Sequence, residues 1–201
     1  FTSCFFLSIR TPVTSDHHFF IVMFTKDDIL YPLSFMRMTR GLPKLSFEEI
    51  DSSMLPEPYQ NLLVHEGDMT SRLEGFHESA IKVRRLRSSN DGKNYYREVV
   101  LETVDDPKPA EYGAIEILLE SLPEETRELV VEARLPLGGI LNDYRIPYSS
   151  TPRAFLKVVP DEPIVEAFGS VEADEIFGRS NEITGFNGKT IARIVEILPV
   201  L

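Results

Sequence analysis

Cysteine, tryptophan and glutamine are almost absent from this chain of 201 residues, which has one cysteine (Cys4), no tryptophan and one glutamine (Gln60). A single cysteine excludes an intrachain disulfide and a cysteine-based zinc site. No apolar run approaches the ~20 residues that a membrane-spanning helix needs. Glycine-rich phosphate loops and the GxSxG nucleophile turn are missing too. These absences favour a soluble protein of a reducing compartment, the cytoplasm.

Positive charge is also scarce, because 21 Lys and Arg residues stand against 32 Asp and Glu, for a formal net charge of −11. Nucleic-acid binders and membrane-surface proteins depend on excess positive charge, so we expect neither kind of partner. Hydrophobic residues make up 42% of the chain, a value typical of a globular domain. The length predicts an N-terminal segment of uncertain status over residues 1–45 and a single domain over residues 46–201.

Turn-forming pairs predict two β-hairpins. Asp91-Gly92 lies between the β-prone residues 79–88 and 94–104, and Asn187-Gly188 lies between residues 178–186 and 190–198. Further strands are predicted over 112–119 and 154–159. Strands outnumber helices, and tight turns favour antiparallel pairing. The predicted fold class is therefore α+β, an antiparallel meander sheet with helices packed on one side.

Helix signals are fewer. Ser46 and Glu49 have the spacing of a capping box, which predicts a short helix. Further helices are predicted over 58–64, after a capping Asp68, and over 121–131, whereas 140–150 is predicted to be irregular.

Two charged residues occupy positions that should face the apolar core. Alternation along residues 94–104 puts Arg97 on the same face as Val99, and alternation in the last strand puts Glu196 on the face of Ile194. An unpaired buried charge is very costly. Arg97 and Glu196 therefore either form an ion pair in the core or hold opposite ends of a small polar ligand in an apolar pocket.

Three other positions carry expectations. The face of residues 94–104 that bears Glu98 should be the wetter one. Gly113 leaves a gap in an apolar layer, which indicates either a β-bulge or the close approach of a ligand. His65 ends a predicted helix beside Glu66 and should lie at the surface.

Several segments resemble, in order, the motifs of the chorismate lyase family, small enzymes that cut chorismate into 4-hydroxybenzoate and pyruvate. The resemblance runs from about Leu62 to Leu198, most of the chain, and includes Arg97 and Glu196. The segments are 62–74 (a helix and its Met-Thr turn), 96–101 (an Arg-Glu strand), Gly113, 135–138 (a Pro-Leu-Gly turn) and 185–199 (the closing hairpin).

The resemblance implies a carbon-oxygen lyase with the chorismate lyase-like fold, which acts on chorismate without a metal or an organic cofactor. Arg97 and Glu196 would be its catalytic residues. Arg97 would hold the ring carboxylate as a bidentate fork, while Glu196 would meet the 4-position oxygen and relay a proton. The backbone N–H of Met69 would add a donor for the carboxylate. The other substrate-binding or product-binding positions would be Thr70, Gly113 and Leu137.

Two alternatives to an enzyme stay open. The ligand-sensing domains of one bacterial repressor family share this general fold, so the chain could be a non-enzymatic sensor of an aromatic or sugar-like carboxylate. Such sensors follow a winged DNA-binding module, and residues 1–45 are too few and not basic enough to form one. The other alternative is a structural or partner-binding domain with Arg97 and Glu196 as a core ion pair. The oligomeric state does not follow from the sequence.

Overall fold

A computed structural model describes residues 28–201, so Cys4 and most of the predicted segment 1–45 lie outside the described residues. The strands are β1 (Phe47–Ile50), β2 (Ile81–Asn90), β3 (Asn94–Thr103), β4 (Pro109–Leu118), β5 (Tyr148–Val158), β6 (Ile176–Gly185) and β7 (Thr190–Ile197). They form one seven-stranded sheet in the order β1-β5-β6-β7-β4-β3-β2. Every neighbouring pair is antiparallel, and both predicted hairpins are present. The predicted α+β meander is confirmed.

The helices are α1 (Leu33–Thr39), α2 (Tyr59–Leu63), α3 (Met69–His77), α4 (Glu124–Glu132), α5 (Leu137–Asp143) and α6 (Glu162–Phe168), with short 3-10 turns over Ser52–Met54 and Leu119–Ser121. Helices α2 to α5 pack on one face of the sheet. The apolar residues of α1 and α6 cover the opposite face. None of the helices in residues 28–201 has the length and apolar character needed to cross a membrane.

The face of β3 that carries Glu98 is buried, so the expectation that it is the wetter face is wrong. Glu98 is only 2% exposed because α1 and α6 pack over this part of the sheet. Its carboxylate accepts hydrogen bonds from the Tyr112 hydroxyl and from Arg40 Nη1, the latter at 3.0 Å. Alternation identified the two faces of the strand correctly, but not the helices that close the second one.

Two helix assignments from the sequence are also wrong. The Ser46–Glu49 pattern is not a helix cap, because residues 47–50 form β1 and pair with β5 in the register Phe47↔Val158. Hydrogen bonds to a neighbouring strand outweigh a local capping preference here. Part of the segment predicted to be irregular is helix α5, which begins directly after Pro136, where a proline costs the helix no hydrogen bond.

Strand β4 sets the geometry of the region described next. It lies between β3 and β7, and its register places Gly113 beside Val99 on one side and beside Glu196 on the other. Paired residues of adjacent strands point to the same face. The odd-numbered side chains of β3 and β4 and the even-numbered side chains of β7 therefore meet on the face that α2 to α5 cover.

Candidate functional site

A cavity of about 60 Å³ lies between this face of the sheet and the first residues of α3 and α5. A single water needs roughly 10–15 Å³ by the same kind of measure, so the cavity has room for a small ligand. The site residues predicted from the sequence all line it: Met69, Thr70, Arg97, Gly113, Leu137 and Glu196. The walls are completed by Asp68, Val99, Leu101, Glu111, Ile115, Pro136, Gly138, Ser150, Asn181, Ile183 and Ile194.

Arg97 is a buried cation without a carboxylate partner. Its side chain projects from β3 and the residue is 3% exposed. Nη1 donates a hydrogen bond of 3.3 Å to the carbonyl oxygen of Leu135, and buried Nε has no hydrogen-bond partner. Among residues 28–201 no Asp or Glu forms a salt bridge with it. Burial lowers the pKa of Arg97 to about 10, so the guanidinium is still charged at neutral pH.

Glu196 forms an ion pair, but with Arg179 rather than with Arg97. Arg179 on β6 is 0% exposed, and its Nε donates to Glu196 Oε2. Its Nη1 donates to the carbonyl oxygens of Leu63 at 2.9 Å and His65 at 3.1 Å. A direct core pair between Arg97 and Glu196 is therefore wrong. Arg179 was not identified from the sequence, although alternation along residues 178–186 would have placed it on the same face as Asn181.

Glu111 is a second cavity residue that sequence reasoning missed. It belongs to β4 and points to the same face as Gly113, but the predicted strand began only at residue 112. A Cβ atom on Gly113 would lie 2.8 Å from Glu111 Oε1 and 3.5 Å from Val99 Cγ2. The glycine thus makes room for a carboxyl group at the cavity. Extending the alternation by one step toward the N-terminus would have found this residue.

The starts of α3 and α5 meet at the cavity wall. Asp68 caps α3, as predicted, because its Oδ1 accepts a hydrogen bond of 2.8 Å from the backbone N–H of Ser71. A Cβ atom on Gly138 would lie 2.9 Å from Asp68 Cβ, so only glycine permits this approach of α5. Within residues 28–201, no three His, Cys, Asp or Glu side chains are grouped so as to hold a metal ion.

His65 lies behind the Arg179–Glu196 pair, and the expectation that it is a surface residue is wrong. It is 9% exposed, and neither ring nitrogen has a hydrogen-bond partner in the described part of the chain. Burial, with the positive charges of Arg179 and Arg72, lowers the pKa of His65 to about 4. The imidazole is therefore neutral in the folded protein at neutral pH.

Acid should destabilise the protein through His65. The unfolded chain takes up a proton on this residue near pH 6.5, whereas the folded protein does not until about pH 4. Its contribution to stability is thus complete above pH 6.5 and is lost as the pH falls toward 4. Urea unfolding across this range should show a smaller acid loss for His65→Gln than for the parent protein. Equal acid losses in both proteins would contradict the assignment.

Comparison with known proteins gives a fold. No protein-family model matches the sequence, and no curated protein sequence matches it significantly. Among solved structures, PhnF from Mycobacterium smegmatis superposes with a TM-score of 0.52 at 10% identity, over 68% of this chain and 65% of that chain. The effector domain of the same protein superposes with a TM-score of 0.50 at 11% identity, over 66% of this chain and 88% of that chain. A GntR-family transcriptional regulator from Bacillus cereus scores only 0.42 at 10% identity, over 59% and 90% of the two chains.

The expectation of a chorismate lyase enzyme is wrong. The similar solved structures are regulators and an effector domain, not enzymes. The site offers a physical reason, because Glu196, the expected proton relay, is already held in an ion pair by Arg179. What the comparison does establish is the chorismate lyase-like fold, as it occurs in the PhnF effector domain, which the family resemblance implied.

Proposed function

We propose that this chain is a non-enzymatic sensor domain that binds a small organic anion in the cavity and leaves it chemically unchanged. One observation carries the proposal: the guanidinium of Arg97 is buried at the cavity wall with a single carbonyl contact and no carboxylate. The effector-domain fold supports it as well.

A buried arginine without a counterion is unfavourable unless a ligand supplies one. Moving a charged side chain out of water costs several kcal/mol, and a partner inside the protein must offset that cost. Arg97 has buried Nε and Nη1 donors that are unpaired or weakly paired. A planar carboxylate can accept two parallel N–H bonds from such a fork, an arrangement that a lysine does not provide.

The remaining walls indicate what the rest of the ligand is like. Aliphatic side chains dominate the surface around Arg97, including those of Val99, Ile115 and Ile194. Polar groups are confined to a few positions, such as Ser150 and Asn181, whose side chains hydrogen-bond each other. A pocket that is mostly apolar with a few polar groups is typical of small-molecule sites. We infer an aromatic or sugar-like carboxylate of about the size of one six-membered ring.

Titration calorimetry with benzoate and gluconate tests this function. At least one of these anions should bind the parent protein, whereas neutral benzamide should bind more weakly. Arg97→Gln should weaken anion binding at least about tenfold, because a hydrogen bond to a charged group contributes about 1.5–3 kcal/mol. Arg97→Lys should keep the charge but lose the fork, and recover only part of the affinity.

Arg85→Gln is the matched control, since it removes the same charge from an exposed position on the neighbouring strand β2. Its affinity for the bound anion should stay within about twofold of the parent value, because exposed charges are screened by salt. The proposal is overturned if neither anion binds, or if Arg97→Gln binds as tightly as Arg85→Gln does.

A further inference from the structure

Glu111 is the cavity's second buried group without a partner. The residue is 4% exposed, and its Oε2 has no hydrogen-bond partner among the described residues. Its other carboxyl oxygen, Oε1, fills the space that the missing side chain of Gly113 leaves free. Both Glu111 and Arg97 line the same cavity of about 60 Å³, so a ligand that fills this space meets both residues.

No cation in residues 28–201 neutralises Glu111. The nearest one, Arg179, is engaged by Glu196 and by the carbonyl oxygens of Leu63 and His65. Burial and the neighbouring charge of Glu196 raise the pKa of Glu111 well above its usual range, and the positive charge of Arg179 only partly opposes this. A carboxyl group in such a place is stable as the neutral acid, which has one O–H donor.

We propose that Glu111 is a ligand-binding residue of the cavity, and that its carboxyl group recognises the bound anion as a hydrogen-bond donor. This inference rests on the function proposed above and adds a second recognition contact to it. The ligand is then an anion that turns its acid group to Arg97 and an acceptor oxygen to Glu111. An ionised Glu111 would repel the same anion, so binding requires the proton on this carboxyl group.

The other charged and titratable groups around the cavity do not supply this proton. They are Arg97 on β3, Arg179 on β6, Glu196 on β7, Asp68 before α3 and His65 in the loop before it. His65, with a pKa of about 4, is neutral above about pH 5.5, and the pKa of Arg97 is about 10. Strand β5 contributes Ser150 and α5 contributes Leu137 and Gly138, none of which titrates.

The test is the pH profile of anion affinity, measured by calorimetry with benzoate and gluconate from about pH 5.5 to about pH 8.5. In the parent protein the affinity should fall as the pH rises, approaching about tenfold per pH unit above the pKa of Glu111. Glu111→Gln keeps an N–H donor of similar shape but cannot ionise, so its affinity should be nearly independent of pH. Glu111→Leu keeps neither, and should bind about twofold to tenfold more weakly than Glu111→Gln at every pH.

A second readout does not depend on the probe. The infrared difference spectrum between the parent protein and Glu111→Gln at neutral pH should contain the C=O band of a protonated carboxyl group. Absence of that band overturns the inference, and so does an identical pH profile for the two proteins. If anions bind in an Arg97-dependent way under either of those outcomes, the proposed function survives without this inference. If neither anion binds at any pH, both fall together.

Discussion

Replacing Arg179 with methionine should lower the free energy of unfolding by about 3–5 kcal/mol, the usual cost of removing one partner of a buried ion pair. The change leaves the Glu196 carboxylate buried without its counterion. It also removes the donors of the Leu63 and His65 carbonyl oxygens, which tie the segment after α2 to the sheet. Urea unfolding at neutral pH, monitored by circular dichroism, measures the loss.

The double variant Arg179→Met with Glu196→Gln separates the charge from the packing. It removes both members of the pair, so it should recover a large part of the stability that the single variant loses. If the two substitutions instead add to each other, the Arg179–Glu196 contact is not the stabilising interaction described here. A single-variant loss below about 1 kcal/mol would count equally against it.

Gly178→Ala should be the second most damaging single change, with a loss of about 3 kcal/mol, at the upper end of typical overpacking costs. Gly178 lies on β6 opposite Ile197 of β7. A Cβ atom there would lie 3.1 Å from Ile197 Cα and still closer to the backbone oxygen of Glu196. Backbone atoms cannot rotate aside, so the two strands would have to separate at the residue that carries the cavity carboxylate.

Gly75→Ala is the control for the glycine substitution. Gly75 lies inside α3, and an added Cβ atom would have no heavy atom within 4 Å. Alanine is the better helix former, so this variant should gain up to about 1 kcal/mol in urea unfolding. Equal stability of Gly178→Ala and the parent protein would show that the β6–β7 contact is looser than described.

Local patterns were enough to predict the central strands and the orientation of their side chains. The Asp91-Gly92 and Asn187-Gly188 turns identified the β2–β3 and β6–β7 hairpins, and alternation placed Arg97 and Glu196 on the apolar face. These features depend on residues close together in the sequence. The residues predicted for the site lie around one cavity for the same reason, while their roles toward a ligand stay predictions.

Other features depend on partners far away in the chain, which local patterns do not show. Residues 47–50 form a strand because β5, about a hundred residues later, offers an unpaired edge. Glu196 is paired by Arg179 rather than Arg97 because β6 and β7 are hydrogen-bonded neighbours in the register Arg179↔Glu196. The buried state of Glu98 likewise follows from the docking of α1 and α6.

The charged side chains of the cavity come from the adjacent strands β3, β4, β7 and β6, which pair only when the central sheet is complete. An unfolded chain therefore has no binding site, and every bound ligand acts as a clamp across the sheet. A ligand present at a hundred times its Kd adds about 2.7 kcal/mol to the free energy of unfolding. Melting temperature alone can thus rank a collection of candidate acids, and those whose effect disappears in Arg97→Gln are the ones held at this site.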